Sequence, residues 1–158
     1  MKIVVTGAIG HIGSYLIRDL AAQFPGSEIL MIDNLMTQRF PSLFNLPTSA
    51  KYSFIDADLT TTNLNPIFKG ANTVVHLAAI TDAAGSVNNA ELVESNNFTG
   101  TEKVAAACLE NACSLITLSS TSVYGTQNSV VSEDCDESEL QPQSPYALTK
   151  LKEERFID

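Results

Sequence analysis

The chain has 158 residues, 44% of them hydrophobic, with three cysteines and a formal net charge of −9. That length suits one domain with a single core. An acidic chain without Lys/Arg clusters cannot neutralise a phosphate backbone, which argues against nucleic acid as a partner, and no run nears the roughly 18 consecutive apolar residues of a membrane span. The N-terminus enters a strand at once, without the cationic region, apolar stretch and cleavage site of a secretory leader, so the expected compartment is the cytoplasm.

The first apolar run, Ile3-Val4-Val5, predicts a buried strand over 2–6. It leads into Thr6-Gly7-Ala8-Ile9-Gly10-His11-Ile12-Gly13 and a helical pattern over about 11–23, where Ile12, Leu16 and Leu20 recur every four residues. Strand, glycine turn and helix form the context in which spaced glycines point to a dinucleotide. Gly7 allows the tight turn, Gly10 lets backbone approach a pyrophosphate, and Gly13 lets helix and strand pack closely. The helix N-terminus then offers free N–H groups to the phosphates. Taken alone, the G-x-x-G-x-x-G spacing also suits a glycine-rich turn with no ligand.

A second strand is predicted over 28–32, ending at Asp33, twenty residues past Gly13. An acid at this tip accepts a hydrogen bond from a ribose 2′-OH and repels a 2′-phosphate, which favours NAD. Arg39, the nearest cation, lies several residues into the next loop and leaves NADP open. The stretch 34–50, with Pro41 and Pro47, reads as loop. Further strands are predicted over 52–56, 73–77 and 114–119, and helices over 63–69, 89–111 and 146–157. The stretch 125–144 reads as a long polar loop. Alternating apolar strands and helices imply a parallel sheet covered on both faces, that is, an α/β, Rossmann-type doubly wound sheet.

Helix 89–111 carries Val93, Asn97, Gly100, Val104 and Cys108 on one stripe. A mid-helix glycine costs about 1 kcal/mol against alanine, and close packing on the sheet would justify Gly100. Asn96 and Asn97 either find partners in that packed stripe or sit on the helix surface. Cys108, Cys113 and Cys135 lack metal-type spacing; the first two read as small apolar residues, and no metal is expected. Glu133, Asp134, Asp136, Glu137 and Glu139 read as a solvated loop.

Near the C-terminus, Ser144 is a good N-cap and Pro145 a good first helical residue. Tyr146 and Lys150 then share a helix face one turn apart. Tyrosine is ordinarily a poor base at neutral pH, but a nearby ammonium favours the phenolate. Such a pair can accept a proton from a substrate hydroxyl as hydride leaves the same carbon. By itself the spacing also fits a surface helix pair. The fifth strand runs into Leu118-Ser119-Ser120-Thr121-Ser122, hydroxyls that either face a ligand crevice or serve ordinary loop chemistry.

With these residues in view, the chain resembles the extended short-chain dehydrogenase/reductase family, in its NAD-dependent nucleotide-sugar epimerase/dehydratase branch. The resemblance rests on TGAIGHIG at 6–13, Asp33-Asn34-Leu35, Asp58-Leu59, His76-Leu77-Ala78-Ala79, Asn96-Asn97 with Gly100-Thr101, Ser119-Ser120-Thr121-Ser122-Val123-Tyr124-Gly125, and Pro145-Tyr146 with Lys150. It implies NAD as cofactor. His11 and Ile12 would cap the pyrophosphate through backbone, Asp33 and Asn34 hold the adenosine ribose, and Asp58 and Leu59 flank the adenine. Leu77 belongs with the cofactor-binding residues, Ala78 and Ala79 line the path to the nicotinamide ribose, and Asn96 supports the cofactor site. Tyr146 would be the general base, Lys150 would bind the nicotinamide ribose and tune Tyr146, and Ser120 would orient the substrate oxygen.

The resemblance also narrows the reaction. In 4,6-dehydratases the positions after the first serine resemble Thr-Asp-Glu, and in glucuronate decarboxylases a Glu precedes Val-Tyr-Gly; here Ser120, Thr121 and Ser122 carry no carboxylate. A UDP-sugar 4-epimerase acting on a nucleotide-sugar is the closer likeness. The alternatives are a threonine-dehydrogenase-like oxidoreductase of a small alcohol and a non-catalytic NAD-binding fragment. Family members continue into a C-terminal substrate domain, so residues 1–158 are expected to be the NAD-binding Rossmann domain alone, inactive in isolation, with an open apolar edge on the fifth strand. A homodimer through helices 89–111 and 145–157 is also implied.

Overall fold

Five strands, β1 (Lys2–Thr6), β2 (Glu28–Asp33), β3 (Lys51–Asp56), β4 (Thr73–His76) and β5 (Ser114–Thr117), pair in parallel in the order β3-β2-β1-β4-β5. The computed structural model describes residues 1–127 and 130–158; residues 128 and 129, inside the stretch expected to be loop over 125–144, lie outside the described residues. The helices are α1 (His11–Gln23), α2 (Asn65–Phe68), α3 (Ala90–Asn111) and α4 (Pro145–Ile157). The chain divides into two compact units, one of Met1–Ala78 with Gly100–Leu118, the other of Ala79–Thr99 with Ser119–Asp158.

The first unit holds the sheet, and its strands alternate as a doubly covered sheet requires. Ile3, Val5, Ile29 and Met31 join Ile17 and Ala21 of α1 in one core cluster. Val4, Leu30, Ile32 and Val74 join Phe68 of α2 and Val104, Ala107 and Cys108 of α3 in another. From β1 the chain builds outward through β2 and β3, then returns to add β4 and β5 on the other side. The strand order therefore reverses between β1 and β4, the place where open α/β sheets leave a crevice at their carboxyl ends. Pairing of β4 with β5 ends at His76 and Thr117, so β5 is two residues shorter than expected.

The buried stripe of α1 is Gly13, Ile17 and Ala21, one position on from the expected Ile12, Leu16 and Leu20. Ile12 is exposed, and Leu16 and Leu20 are half-buried. Two of the three buried positions are the smallest side chains available, so the helix axis sits close to the sheet and the larger leucines flank the contact. Helix α2 is shorter than expected; wholly buried Phe68 anchors it, and Gly70, at φ +73°, turns the chain after it.

In the second unit, Ser144 caps α4, its Oγ accepting the Ala147 N–H at 3.1 Å, with Pro145 in the first turn as expected. Two 3₁₀ turns, Gly85–Asn88 and Thr121–Tyr124, pack on α4. The acidic residues 133, 134, 136, 137 and 139 are all exposed. The cysteines are unbridged. Among the described residues no helix is long and apolar enough to cross a membrane.

Candidate functional site

The turn after β1 is built from close backbone approaches. Gly7 has φ +64°, and a Cβ on it would stand 2.6 Å from the Ala78 nitrogen, so the turn and the chain leaving β4 press together where the strand order reverses. A Cβ on Gly13 would overlap the Gly7 carbonyl oxygen and lie 2.8 Å from the Ala8 carbonyl. Gly10 is different: its Cβ would meet only the Gly7 oxygen, at 3.1 Å, and nothing else within 4 Å. Internal packing thus accounts for Gly7 and Gly13, while Gly10 borders open space. Helix α1 begins there with no side-chain cap and no acid in its first turn. Its first N–H groups and positive dipole end suit an anion such as a diphosphate.

Asp33, at the tip of β2, is tied to this turn. Its Oδ2 accepts the Ile9 N–H at 3.3 Å, and its Oδ1 accepts the Leu35 N–H at 3.0 Å. These bonds fix the carboxylate while leaving lone pairs for a hydroxyl. Asn34 is exposed and closes a local turn by accepting the Met36 N–H. Asp58 follows β3 and accepts from both the backbone and the hydroxyl of Thr60, while Leu59 is buried in the core. His11 and Ile12 are exposed, and Leu77 and Ala78 are half-buried. Gly7, Gly10, Gly13, Asp33, Asp58 and Ala78 therefore all lie at or just after the carboxyl ends of β1, β2, β3 and β4.

A buried relay under the turn was not anticipated. Thr6 Oγ1 accepts the Leu77 and Ala78 N–H groups at 3.3 and 3.4 Å and lies 2.7 Å from His76 Nδ1. The Leu77 N–H also donates to the Thr6 carbonyl, at 3.1 Å. On the other side of the ring, His76 Nε2 shares a hydrogen bond with Thr101 Oγ1 at 3.1 Å. The relay ties β1, the exit of β4 and α3 together. Its partners are more than twenty residues apart in the chain, so no local spacing announces it.

Gly100 has more room than its expected role needs. A Cβ there would meet only Leu59 Cβ, at 4.0 Å, an ordinary contact. Close packing does not demand this glycine.

In the second unit, Tyr146, Lys150 and Glu153 fall at i, i+4 and i+7 of α4, one face of the helix, and all three are buried. Lys150 Nζ donates to Glu153 Oε2 at 2.8 Å. The Tyr146 N–H donates to Ser86 Oγ at 3.3 Å, and Ser86 Oγ donates to the Ala83 carbonyl at 2.6 Å, which fixes the start of the helix. Ser120 caps the turn Thr121–Tyr124; its Oγ accepts the Ser122 N–H and lies 2.8 Å from Ser122 Oγ. Ser120, Tyr146 and Lys150 thus stand on elements packed against each other. For the unit's other described tyrosine, Tyr124, desolvation and the charges of Cys135, Glu133, Glu154 and Asp134 push the phenol up, which favours its protonated form.

The asparagine pair also resolves. Asn97 is the buried member, clamping the Ile80 backbone through Oδ1 to the N–H at 2.8 Å and Nδ2 to the carbonyl at 3.0 Å. Asn96, half-buried, donates to Asn97 Oδ1 at 2.9 Å. Ala79 is half-buried. Position in the α3 stripe, shared with Val93 and Val104, was the available signal for Asn97; Glu153 had a local signal in its spacing from Lys150, and Ser86 had none.

Comparison with known proteins follows the same lines. The sequence model of the NAD dependent epimerase/dehydratase family matches residues 3–158. A UDP-glucose 4-epimerase from Mycolicibacterium smegmatis is 34% identical over 164 residues, covering 100% of this chain and 50% of the relative. The solved structure of a UDP-N-acetylglucosamine 4-epimerase from Methanobrevibacter ruminantium, in complex with UDP-N-acetylmuramic acid, matches with TM-score 0.85 and 33% identity over 99% of this chain and 49% of that one. A UDP-glucuronic acid 4-epimerase from Bacillus cereus, in complex with UDP-glucuronic acid and NAD, matches with TM-score 0.86 and 32% identity over 98% of this chain and 50% of that one. The chain spans about half the length of the curated relatives it matches.

Proposed function

We propose, since this chain belongs to the NAD-dependent epimerase/dehydratase family, that it is the nucleotide-holding part of a UDP-sugar 4-epimerase working with NAD. The observation that carries the reading is the tie between the glycine turn and Asp33: an uncapped helix start and a fixed carboxylate, joined by the Ile9 N–H at 3.3 Å. That donor set fits a diphosphate next to a ribose hydroxyl, and the acid disfavours a 2′-phosphate.

NAD bound there would supply the hydride acceptor and donor that inversion at the sugar C4 requires. Gly7, Gly10 and Gly13, with the N–H groups of His11 and Ile12, hold the diphosphate. Asp33 and Asn34 hold the adenosine ribose, Asp58 and Leu59 border the adenine, and Leu77, Ala78, Ala79 and Asn96 support the nicotinamide end. Tyr146 Oη accepts the proton of the C4 hydroxyl and later gives it back. Ser120 Oγ orients that oxygen, and the Lys150 ammonium binds the nicotinamide ribose and favours the phenolate. The absence of a carboxylate at Ser120, Thr121 and Ser122 supports epimerisation over dehydration. Pairing of two copies through α3 and α4 belongs to the same proposal and is supported by Leu92, Leu148 and Phe156, large apolar side chains exposed on those helices.

The test is the complete protein supplied with a UDP-hexose. Interconversion of the C4 epimers without added NAD and without accumulating NADH is expected. Tyr146→Phe should cut turnover by at least about 10²-fold, the lower end of a general base's contribution, while NAD stays bound. Stoichiometric release of NADH would show a dehydrogenase instead, and full activity in Tyr146→Phe would remove the tyrosine from the chemistry.

A further inference from the structure

Three ion pairs occur among the described residues, and two lie in solvent: Lys152 with Glu94 and Arg155 with Glu137. The third, Lys150 with Glu153, is enclosed, its side chains only 10% and 6% exposed. Glu153 spends Oε2 on the ammonium, while Oε1 is buried without a hydrogen-bond partner.

Stability does not account for this arrangement. Two buried charges lose more hydration than their attraction returns unless every remaining lone pair is satisfied, and a well-packed apolar pair of similar volume holds a helix as well or better. An orphaned carboxylate oxygen adds to the cost. Glu153 therefore needs a reason connected with Lys150 itself, and the shared face with Tyr146 supplies one.

We propose that Glu153 is the positioning residue of the lysine site: it fixes the Lys150 ammonium through Oε2 and offsets part of its charge, so that the ammonium still favours the Tyr146 phenolate while the pair presents less net charge to the cofactor ring. The inference rests on the reading that Lys150 serves the nicotinamide end of the cofactor. A lone buried ammonium repels the cationic oxidised ring and tolerates the neutral reduced one. The carboxylate reduces that bias. An epimerase needs such balance, because every turnover starts and finishes with the oxidised cofactor.

The test compares dissociation constants of NAD⁺ and NADH for the complete protein and two variants. Glu153→Gln keeps the shape and an acceptor for Lys150 but drops the charge. Its ratio of NAD⁺ to NADH dissociation constants should rise about tenfold, the size of one uncompensated charge acting through partly buried protein. Glu153→Asp keeps the charge, and its ratio should stay within about twofold of wild type even if both affinities fall. An unchanged ratio in Glu153→Gln, with both nucleotides bound, overturns the role of Glu153 and leaves the cofactor reading intact. Should Glu153→Gln not fold, Glu153→Asp decides, and a tenfold change in its ratio overturns the role. A wild-type protein that binds neither nucleotide overturns the cofactor reading and this inference with it.

Discussion

Gly13 and Gly100 form a matched pair for testing what holds the nucleotide turn. Both lie within helices, Gly100 in the middle of α3 and Gly13 in the first turn of α1, so replacing either by alanine carries an intrinsic gain of about 1 kcal/mol at most. They differ in space. At Gly100 the new methyl meets one carbon at 4.0 Å, so the gain is kept and Gly100→Ala should stabilise by about 0.5–1 kcal/mol. At Gly13 the methyl overlaps the Gly7 carbonyl oxygen and stands 2.8 Å from the Ala8 carbonyl. The obstacles are backbone and cannot rotate aside, so a strain of about 3 kcal/mol, the upper part of the overpacking range, outweighs the helix gain. The net cost is about 2 kcal/mol. Urea unfolding monitored by circular dichroism measures both, and thermal melts should move down about 4–8 °C for Gly13→Ala and up about 2 °C for Gly100→Ala. Titration with NAD should also show Gly13→Ala binding far more weakly, because relief of the overlap displaces the turn. A Gly13→Ala protein as stable as wild type would refute the claim that backbone contact demands this glycine. A destabilised Gly100→Ala would mean that α3 packs more tightly than the 4.0 Å spacing allows.

Thr6→Val keeps the side-chain volume but strips the Ala78 N–H and His76 Nδ1 of their shared oxygen, while the Leu77 N–H keeps the Thr6 carbonyl; a loss of about 1–3 kcal/mol in urea unfolding is expected, and unchanged stability would show that the relay is not structural. Burial, reinforced by Cys113, pushes the Cys108 thiol up to about 12. The folded thiol thus stays neutral where an unfolded one ionises above about 8.5, so its contribution is complete below that pH and is lost as pH rises toward 12. Wild type should accordingly lose about 1–2 kcal/mol more stability than Cys108→Ala between pH 8 and 10, and parallel pH profiles would contradict this. Sedimentation of the complete protein should give a dimer that Leu148→Glu with Phe156→Glu dissociates; a wild-type monomer would dispose of the α3/α4 pairing.

What the amino-acid order discloses depends on how local the physical demand is. Strand alternation in Ile3-Val4-Val5 and Ile29-Leu30-Met31-Ile32 is a demand of the pleat, felt by neighbours, and the two core clusters follow it residue by residue. Asp33 is equally local, being the first polar residue after such a run. The stripe of α1 is less so. Hydrophobicity selects Ile12, Leu16 and Leu20, but the helix docks on Gly13 and Ala21 around Ile17, because closeness of approach depends on the absence of side chain. The same reasoning, applied to Gly100, assigns a close contact that the 4.0 Å spacing does not need. Contacts such as Tyr146 with Ser86, or Thr6 with His76, join elements sixty and seventy residues apart and leave no trace in any window of sequence.

Glu153 lies between these cases, and it shows where reading by default goes astray. An acid three residues after a lysine on a helix is ordinarily a solvated pair worth a few tenths of a kcal/mol. Its phase relative to Tyr146 was visible, since 146, 150 and 153 follow the helical repeat, but its burial was not. Burial converts the same two side chains from ornament on a surface into a charge pair whose cost must be met by something other than stability. Enclosed polar groups are therefore worth sorting by whether the fold satisfies them. In the first unit Ser27 Oγ is buried without a hydrogen-bond partner but carries no charge, while the buried His76 ring is satisfied on both nitrogens by Thr6 and Thr101 and supports the turn. In the second, Glu153 Oε1 is not satisfied at all. A satisfied buried network rigidifies what stands on it, whereas a half-satisfied charge marks a place where the protein has set an electrostatic condition.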